Sequence, residues 1–285
     1  MKKLIVSALL AVSALSLACC SSGAQSEYAS EEEQEVAAEG GSSSAHSILD
    51  SMHAATMRLI RREGSVDLTD KDGKERSLTD NLRLQNGDTL TTGEDSLAGI
   101  SLDDSKAALM DQKSQAQFTR EKDGKYLEID LNEGNIFFSV DKKLENDESF
   151  EIHSSNMVMG IRGTSGYVST VDADDERLTV TDGKVHVTGT NLSTGESSEV
   201  EVSAGQQAAV YLYDRTVDSI EFQIDNINEI NLPKHALRAL AENSPLFERV
   251  TVATGWSADL LEKYHSQQKS QRHEEALTVY APIIE

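Results

Sequence analysis

A chain of 285 residues with a formal net charge of −23, 38% hydrophobic and 5% aromatic side chains can bury a globular core but repels a phosphate backbone, so nucleic acid is excluded as a partner. The acidic excess favours no other partner class, since exported proteins commonly carry it for solubility. Both cysteines fall within MKKLIVSALLAVSALSLACC at the start, so the folded part is expected to hold neither a disulfide nor a thiolate metal site.

That opening segment reads as a secretion signal. Lys2 and Lys3 form a positive n-region, Leu4 to Leu17 an apolar h-region and Ala18 the small residue before a cut. The apolar run is short of the roughly 20 residues that span about 30 Å of hydrocarbon, which favours a cleaved signal over a transmembrane anchor. Around Leu17, Ala18, Cys19 and Cys20 the sequence resembles the bacterial lipobox, whose cysteine is diacylated and becomes the mature N-terminus. Ala18 directly upstream favours Cys19 as that residue, and Leu17 three positions upstream favours Cys20; both stay open. The expected location is extracytoplasmic, at a bacterial membrane, through a lipid anchor.

Residues 21–45 carry six glutamates, no basic residue and almost no large apolar side chain. Such a stretch cannot bury enough surface to offset the entropy of ordering, and its like charges extend it, so 20–47 reads as a flexible tether behind a 1–19 signal. From Ile48 the character changes, with a helical pattern through Ile60 and then short alternating runs punctuated by glycine turns.

In LTVTDGKVHVTG, a turn at Asp182-Gly183 sets Val180 opposite Val185 and Leu178 opposite Val187, with His186 on the wet face beside Thr179. The punctuation recurs as Asp72-Gly73-Lys74 and Asp123-Gly124-Lys125. YLEIDLNEGNIFFSV reads as a second hairpin turning at Glu133-Gly134, and EVEVSAGQQAAVYLY as a third turning at Ala204-Gly205. Residues 48–225 are therefore expected to form an all-β domain, a twisted antiparallel sandwich or β-solenoid, because strands so close together leave no room for crossover helices.

From Ala54 to Tyr211 the chain resembles the FecR-domain family. The matching pieces run in order as LRLQNGDTLTTGEDSLAGISLDD, YLEIDLNEGNIFF, MVMGIRGTSGYV, LTVTDGKVHV and VEVSAGQQAAV. Gly87-Asp88 with Gly93 matches the family's opening element, Gly163-Thr164 after Arg162 its central one, and Gly205 its closing one. The resemblance implies a β domain that binds partners rather than catalyses. It also implies, for members that cross the inner membrane, a cytoplasmic segment controlling a sigma factor. Here only Met1, Lys2 and Lys3 precede the apolar run, so no anti-sigma segment is expected.

Residues 226–285 read as short helices. Pro233 and Pro245 suit first turns, Ser244 and Ser257 suit N-caps, and Leu237, Leu240, Leu260, Leu261 and Tyr264 give narrow apolar stripes. They are expected to cap one open end of the β domain, the alternative being a separate docking element for a partner.

No catalytic set assembles. Gly163-Thr164-Ser165-Gly166 is too short for a nucleophile elbow, Ser139–Lys142 and Ser266–Lys269 spell S-x-x-K without partner motifs, and His273-Glu274 lacks a second zincin histidine. Asp172, Asp174, Asp175 and Glu176 could ligate calcium but read as a solvated turn, as do Asp103 and Asp104. The expectation is no enzyme, no cofactor and no metal. Arg162, Gly163 and Thr164 are taken as structural, since a glycine in a strand-like run marks a bulge or a close approach. What remains is a membrane-anchored binding or scaffolding module for an envelope protein or polysaccharide, the alternative being a sensor in a transmembrane relay.

Overall fold

The structure, a computed structural model, describes residues 56–121, 124–172, 175–211, 220–227, 232–257 and 259, all in the compact unit Ser44–Glu285. The expected signal segment with Cys19 and Cys20, the expected tether, residues 48–55 and the tail positions Leu260, Leu261 and Tyr264 lie outside the described residues.

In chain order the strands are β1 (Arg58–Glu63), β2 (Val66–Thr69), β3 (Leu82–Arg83), β4 (Asp88–Thr92), β5 (Leu97–Ser101), β6 (Lys106–Met110), β7 (Gln115–Glu121) and β8 (Tyr126–Val140). They continue as β9 (Ser149–His153), β10 (Met157–Gly160), β11 (Ser165–Asp172), β12 (Asp175–Asp182), β13 (Lys184–Thr190), β14 (Ser197–Ser203), β15 (Gln206–Tyr211) and β16 (Glu221–Asn226). Helices α1 (Lys234–Glu242) and α2 (Ser244–Thr254) follow. The expected helix through Ile60 is overturned at its end, where Arg58 and Leu59 pair with Ser101 and Ile100 of β5 and Ile60 falls at a bulge within β1.

Two ladders share β8. One runs β3-β1-β5-β6-β8-β11-β12-β15-β16, using Gly134 to Val140 of β8. The other runs β2-β4-β7-β8-β9-β10-β13-β14, using Tyr126 to Glu133. All neighbours are antiparallel except β8 with β9. The chain is thus mostly β, as expected, and the two ladders are layers of a sandwich not closed into a barrel.

Leu90, Ile129, Ile152 and Val187 of the second ladder and Ile100, Met110, Phe138 and Leu178 of the first share one buried cluster. Period-2 alternation builds this core, because each strand has one face turned to the opposite sheet.

The three expected hairpins are overturned in the same way: each is a corner where the chain changes sheet. β12 pairs with β11 and β15 while β13 pairs with β10 and β14, so Leu178 and Val180 meet Val185 and Val187 across the core and not along one sheet. Residues 126–140 form one bent strand, with Glu133 still paired to β7 and Gly134 to β11. β14 and β15 likewise lie in different sheets. An inward residue at every second position is demanded equally by a hairpin and by a corner, so alternation cannot separate them. His186 is exposed as expected, but its register partners are Gly160 and Glu201, not Thr179.

The helices cover the outer face of the first sheet rather than an open end, which overturns the expected placement. Leu237, Leu240, Leu246 and Val250 pack on Leu97, Leu109, Phe137 and Tyr167. Arg238 Nη1 donates to Glu63 at 3.0 Å and Arg61 Nη1 to Glu242 at 2.8 Å, tying α1 to β1. His235 sits between Asp111 at 2.8 Å and the Tyr167 hydroxyl at 3.0 Å. Burial, with the Asp111 charge, pushes the Tyr167 phenol above its usual range. Pro233 takes the N-cap of α1 and Pro245 the first turn of α2, but the α2 cap is Asn243, whose side chain accepts from Leu246 N, and not Ser244.

Candidate functional site

Sequence singled out Gly87, Asp88, Gly93, Arg162, Gly163, Thr164 and Gly205, and the structure does not gather them into a pocket. They lie along the corners and turns. Gly93 N donates to Ser65 O at 2.9 Å and Gly93 O accepts from Lys113 N at 3.0 Å, while Gly205 O accepts from Ile227 N at 2.9 Å. These bonds stack successive corners into rungs.

Gly163 has φ +76, and a Cβ there would lie 3.0 Å from Lys143 Cα. Gly87, at φ +80, starts the turn into β4. Asp88 is buried, accepts from Gln85 N at 2.7 Å and pairs with Arg76, so it pins that turn from inside. Arg162 points outward, its guanidinium donating to the Asn146 amide oxygen at 3.1 Å. Thr164 is buried between β8 and the Gly183 corner, its carbonyl accepting from Val140 N at 2.9 Å.

Both acidic turns depart from the solvated reading at one residue each. Asp103 is 5% exposed in the β5–β6 connection, where Lys106 Nζ lies 2.7 Å away and Ser105 N donates at 2.8 Å. Burial alone would raise its pKa, but Lys106 and Ser105 outweigh it and hold the carboxyl below the usual range. Glu176 is 1% exposed and faces inward from β12, accepting from Ser154 Oγ at 2.8 Å and Asn156 N at 3.0 Å. It thereby satisfies the β9–β10 turn of the opposite sheet. Asp175 pairs with Arg177 at 2.7 Å, and Asp174 lies outside the described residues.

Burial raises the Glu176 pKa against the hydrogen bonds that lower it. A raised folded-state pKa gives stability that is fully present below the unfolded value and is lost as pH rises through the folded one. Glu176→Gln keeps an acceptor for Asn156 and removes the buried charge, so it should melt no lower than wild type at pH 7, with the two converging near pH 4. Glu176→Ala leaves the turn amides unsatisfied and should cost about 1–3 kcal/mol. Thermal denaturation at both pH values checks both variants.

The second sheet presents a polar outer face, and one cluster on it was missed from sequence. Glu128 and Asp130 of β8 lie beside Glu151 and His153 of β9, all half-buried. His153 Nε2 is 2.9 Å from Glu151 and 3.9 Å from Glu128, and its Nδ1 is 3.6 Å from Asp130. Burial first, then the Glu128 charge, pushes Asp130 above its ordinary pKa. Alternation alone could place each residue outward. Their meeting depends on the parallel β8–β9 pairing, which no local pattern announces.

Residues 88–186 match the family model described as FecR protein, from β4 into β13. The match takes in Asp88, Gly93, Arg162, Gly163 and Thr164, and leaves out Gly87 and Gly205. Two crystal structures of a candidate anti-sigma factor from Parabacteroides distasonis, at 1.65 and 2.50 Å, are similar to this chain at 16% identity and a TM-score of 0.40. The similarity covers 50% of this chain and 62% of theirs, so the chain spans less than two thirds of their length. No curated protein matches the chain.

Proposed function

We propose that this protein is an extracytoplasmic binding module held at a bacterial membrane by a lipid on Cys19 or Cys20, and that its FecR-type domain engages an envelope protein or polysaccharide without catalysing a reaction. The observation that carries the reading is the FecR match over residues 88–186. It is supported by the placement of the motif residues at corners and turns, with Asp88 and Thr164 buried, so that the polar outer face is the surface proposed for recognition. The same family match favours a second reading, in which engaging that partner passes a signal to a separate membrane protein. Among the described residues no helix is long and apolar enough to cross a membrane.

Photo-crosslinking in the native envelope tests the module. A benzophenone side chain at Val158 or His186, both exposed on the polar face, should give a discrete heavier adduct. No adduct from either position, or turnover of an envelope polymer by the purified protein, would overturn the reading. The anchor is tested separately. Replacing Cys19 and Cys20 together with serine should move the protein from the membrane pellet to the soluble exported fraction, because the two-chain lipid that makes binding stable is lost. Double-variant protein retained in the pellet after a carbonate wash would refute the anchor.

A further inference from the structure

β8 and β9 run parallel in the register Tyr126↔Ser149, Glu128↔Glu151 and Asp130↔His153. On the polar face this brings one donor atom each from Glu128, Glu151 and His153 within 4.8 Å of one another. Each donor residue has a group behind it. The Tyr126 hydroxyl donates to Glu128, the Ser149 hydroxyl donates to Glu151 Oε1 at 3.2 Å, and Asp130 Oδ1 stands 3.6 Å from the far ring nitrogen of His153. At 3.6 Å the Asp130 contact is longer than a hydrogen bond, and closing it would give the carboxylate-behind-histidine arrangement that fixes the ring and its tautomer for metal ligation.

The charge balance points the same way. Three carboxylates face one imidazole, and among the described residues none of the three forms an ion pair with a lysine or arginine. Their side chains are only 18%, 34% and 32% exposed for Glu128, Asp130 and Glu151. Holding that much negative charge partly out of water is unfavourable unless a cation offsets it.

We propose that Glu128, Glu151 and His153 form a binding site for a divalent transition-metal ion, with zinc the best chemical fit. An imidazole donor suits zinc and disfavours calcium, which takes six to eight oxygens, and three protein donors leave a fourth tetrahedral position facing solvent. That position can accept water or a donor from a bound partner. The site stands independently of whether the domain is a binding module, and it revises the expectation of no metal.

Isothermal titration of the untagged full-length protein with zinc chloride at pH 7, after removal of metals with a chelator, should give saturable binding of one ion. Calcium chloride should give none. His153→Ala and Glu151→Gln should each abolish that binding, and Asp130→Asn should weaken it about 10–100-fold. His186→Ala, on the same face, should leave it unchanged. X-ray absorption at the zinc edge of the wild-type protein, which depends on no variant, should show one imidazole nitrogen with oxygen neighbours. Absence of saturable zinc binding, a first shell of several imidazoles, or full binding by folded His153→Ala would overturn the site and leave the cluster as a hydrogen-bonded network only.

Discussion

Gly166→Val should remove a large part of the domain's stability. Gly166 lies in β11 between Phe138 of β8 and Val180 of β12. A Cβ at this position would stand 2.6 Å from Thr179 O and 2.8 Å from Phe138 Cζ. The carbonyl belongs to a central ladder and the ring is fully buried, so neither neighbour can withdraw cheaply. Ordinary overpacking costs about 1–3 kcal/mol, and a clash with backbone in the middle of a sheet exceeds it. A loss above about 4 kcal/mol is expected, a large part of the roughly 5–15 kcal/mol that holds a domain folded.

Urea denaturation of wild type, Gly166→Ala and Gly166→Val would rank the three. Phe138→Leu should offset part of the Gly166→Ala loss, since the two share one space. A Gly166→Val protein that unfolds with the wild type would show that β11 can slide. Gly163→Val, at a positive-φ corner and not inside a sheet, should cost less, about 1–3 kcal/mol.

Lys106→Met should cost about 3–5 kcal/mol, the scale of breaking a buried ion pair by removing one partner. Asp103 and Lys106 are each 5% exposed, and without the ammonium the carboxylate keeps only Ser105 and a more distant Arg120 at 3.6 Å. The Asp103 pKa is depressed, so the pair stabilises the fold above the unfolded value near the ordinary carboxylate range, and this is lost as pH falls through the folded one. Lys106→Met should therefore narrow its stability deficit on acidification. A variant whose deficit is small at pH 7, or equal at pH 7 and pH 3, would show that the pair contributes little.

What sequence made legible follows from the range of each signal. Alternation named the inward residues Leu178, Val180, Val185 and Val187 correctly, because facing is a local property of a strand. It misread their partners, because the pattern is the same for a hairpin and a corner. Pro233 and Pro245 marked both helix starts through their fixed φ, yet nothing local could say that Leu237 and Leu240 would rest on Phe137 and Tyr167. Asp103 and Glu176 read as solvated because acidic runs usually are. Their burial depends on Lys106 and on a turn of the opposite sheet. The Glu128, Glu151 and His153 cluster was hidden for a related reason: two separately ordinary strands become neighbours only in three dimensions.

In both ladders every described pairing between strands before β8 and strands after it runs through β8 itself. Such a stack resembles a zipper with its slider in the middle of the chain, where rungs can be added outward from one central strand and frayed inward from both ends. Left to the ladders alone, the outermost rungs would open first. The C-terminal helices change that order. Docked through Arg238 and Glu242 on β1 and through Leu237 and Leu240 across the central strands, they fasten the last described elements to the first and act as a clasp over the seam. Opening either half then requires releasing the clasp, which couples the two ends of the domain without a single hydrogen-bonded strand pair between them.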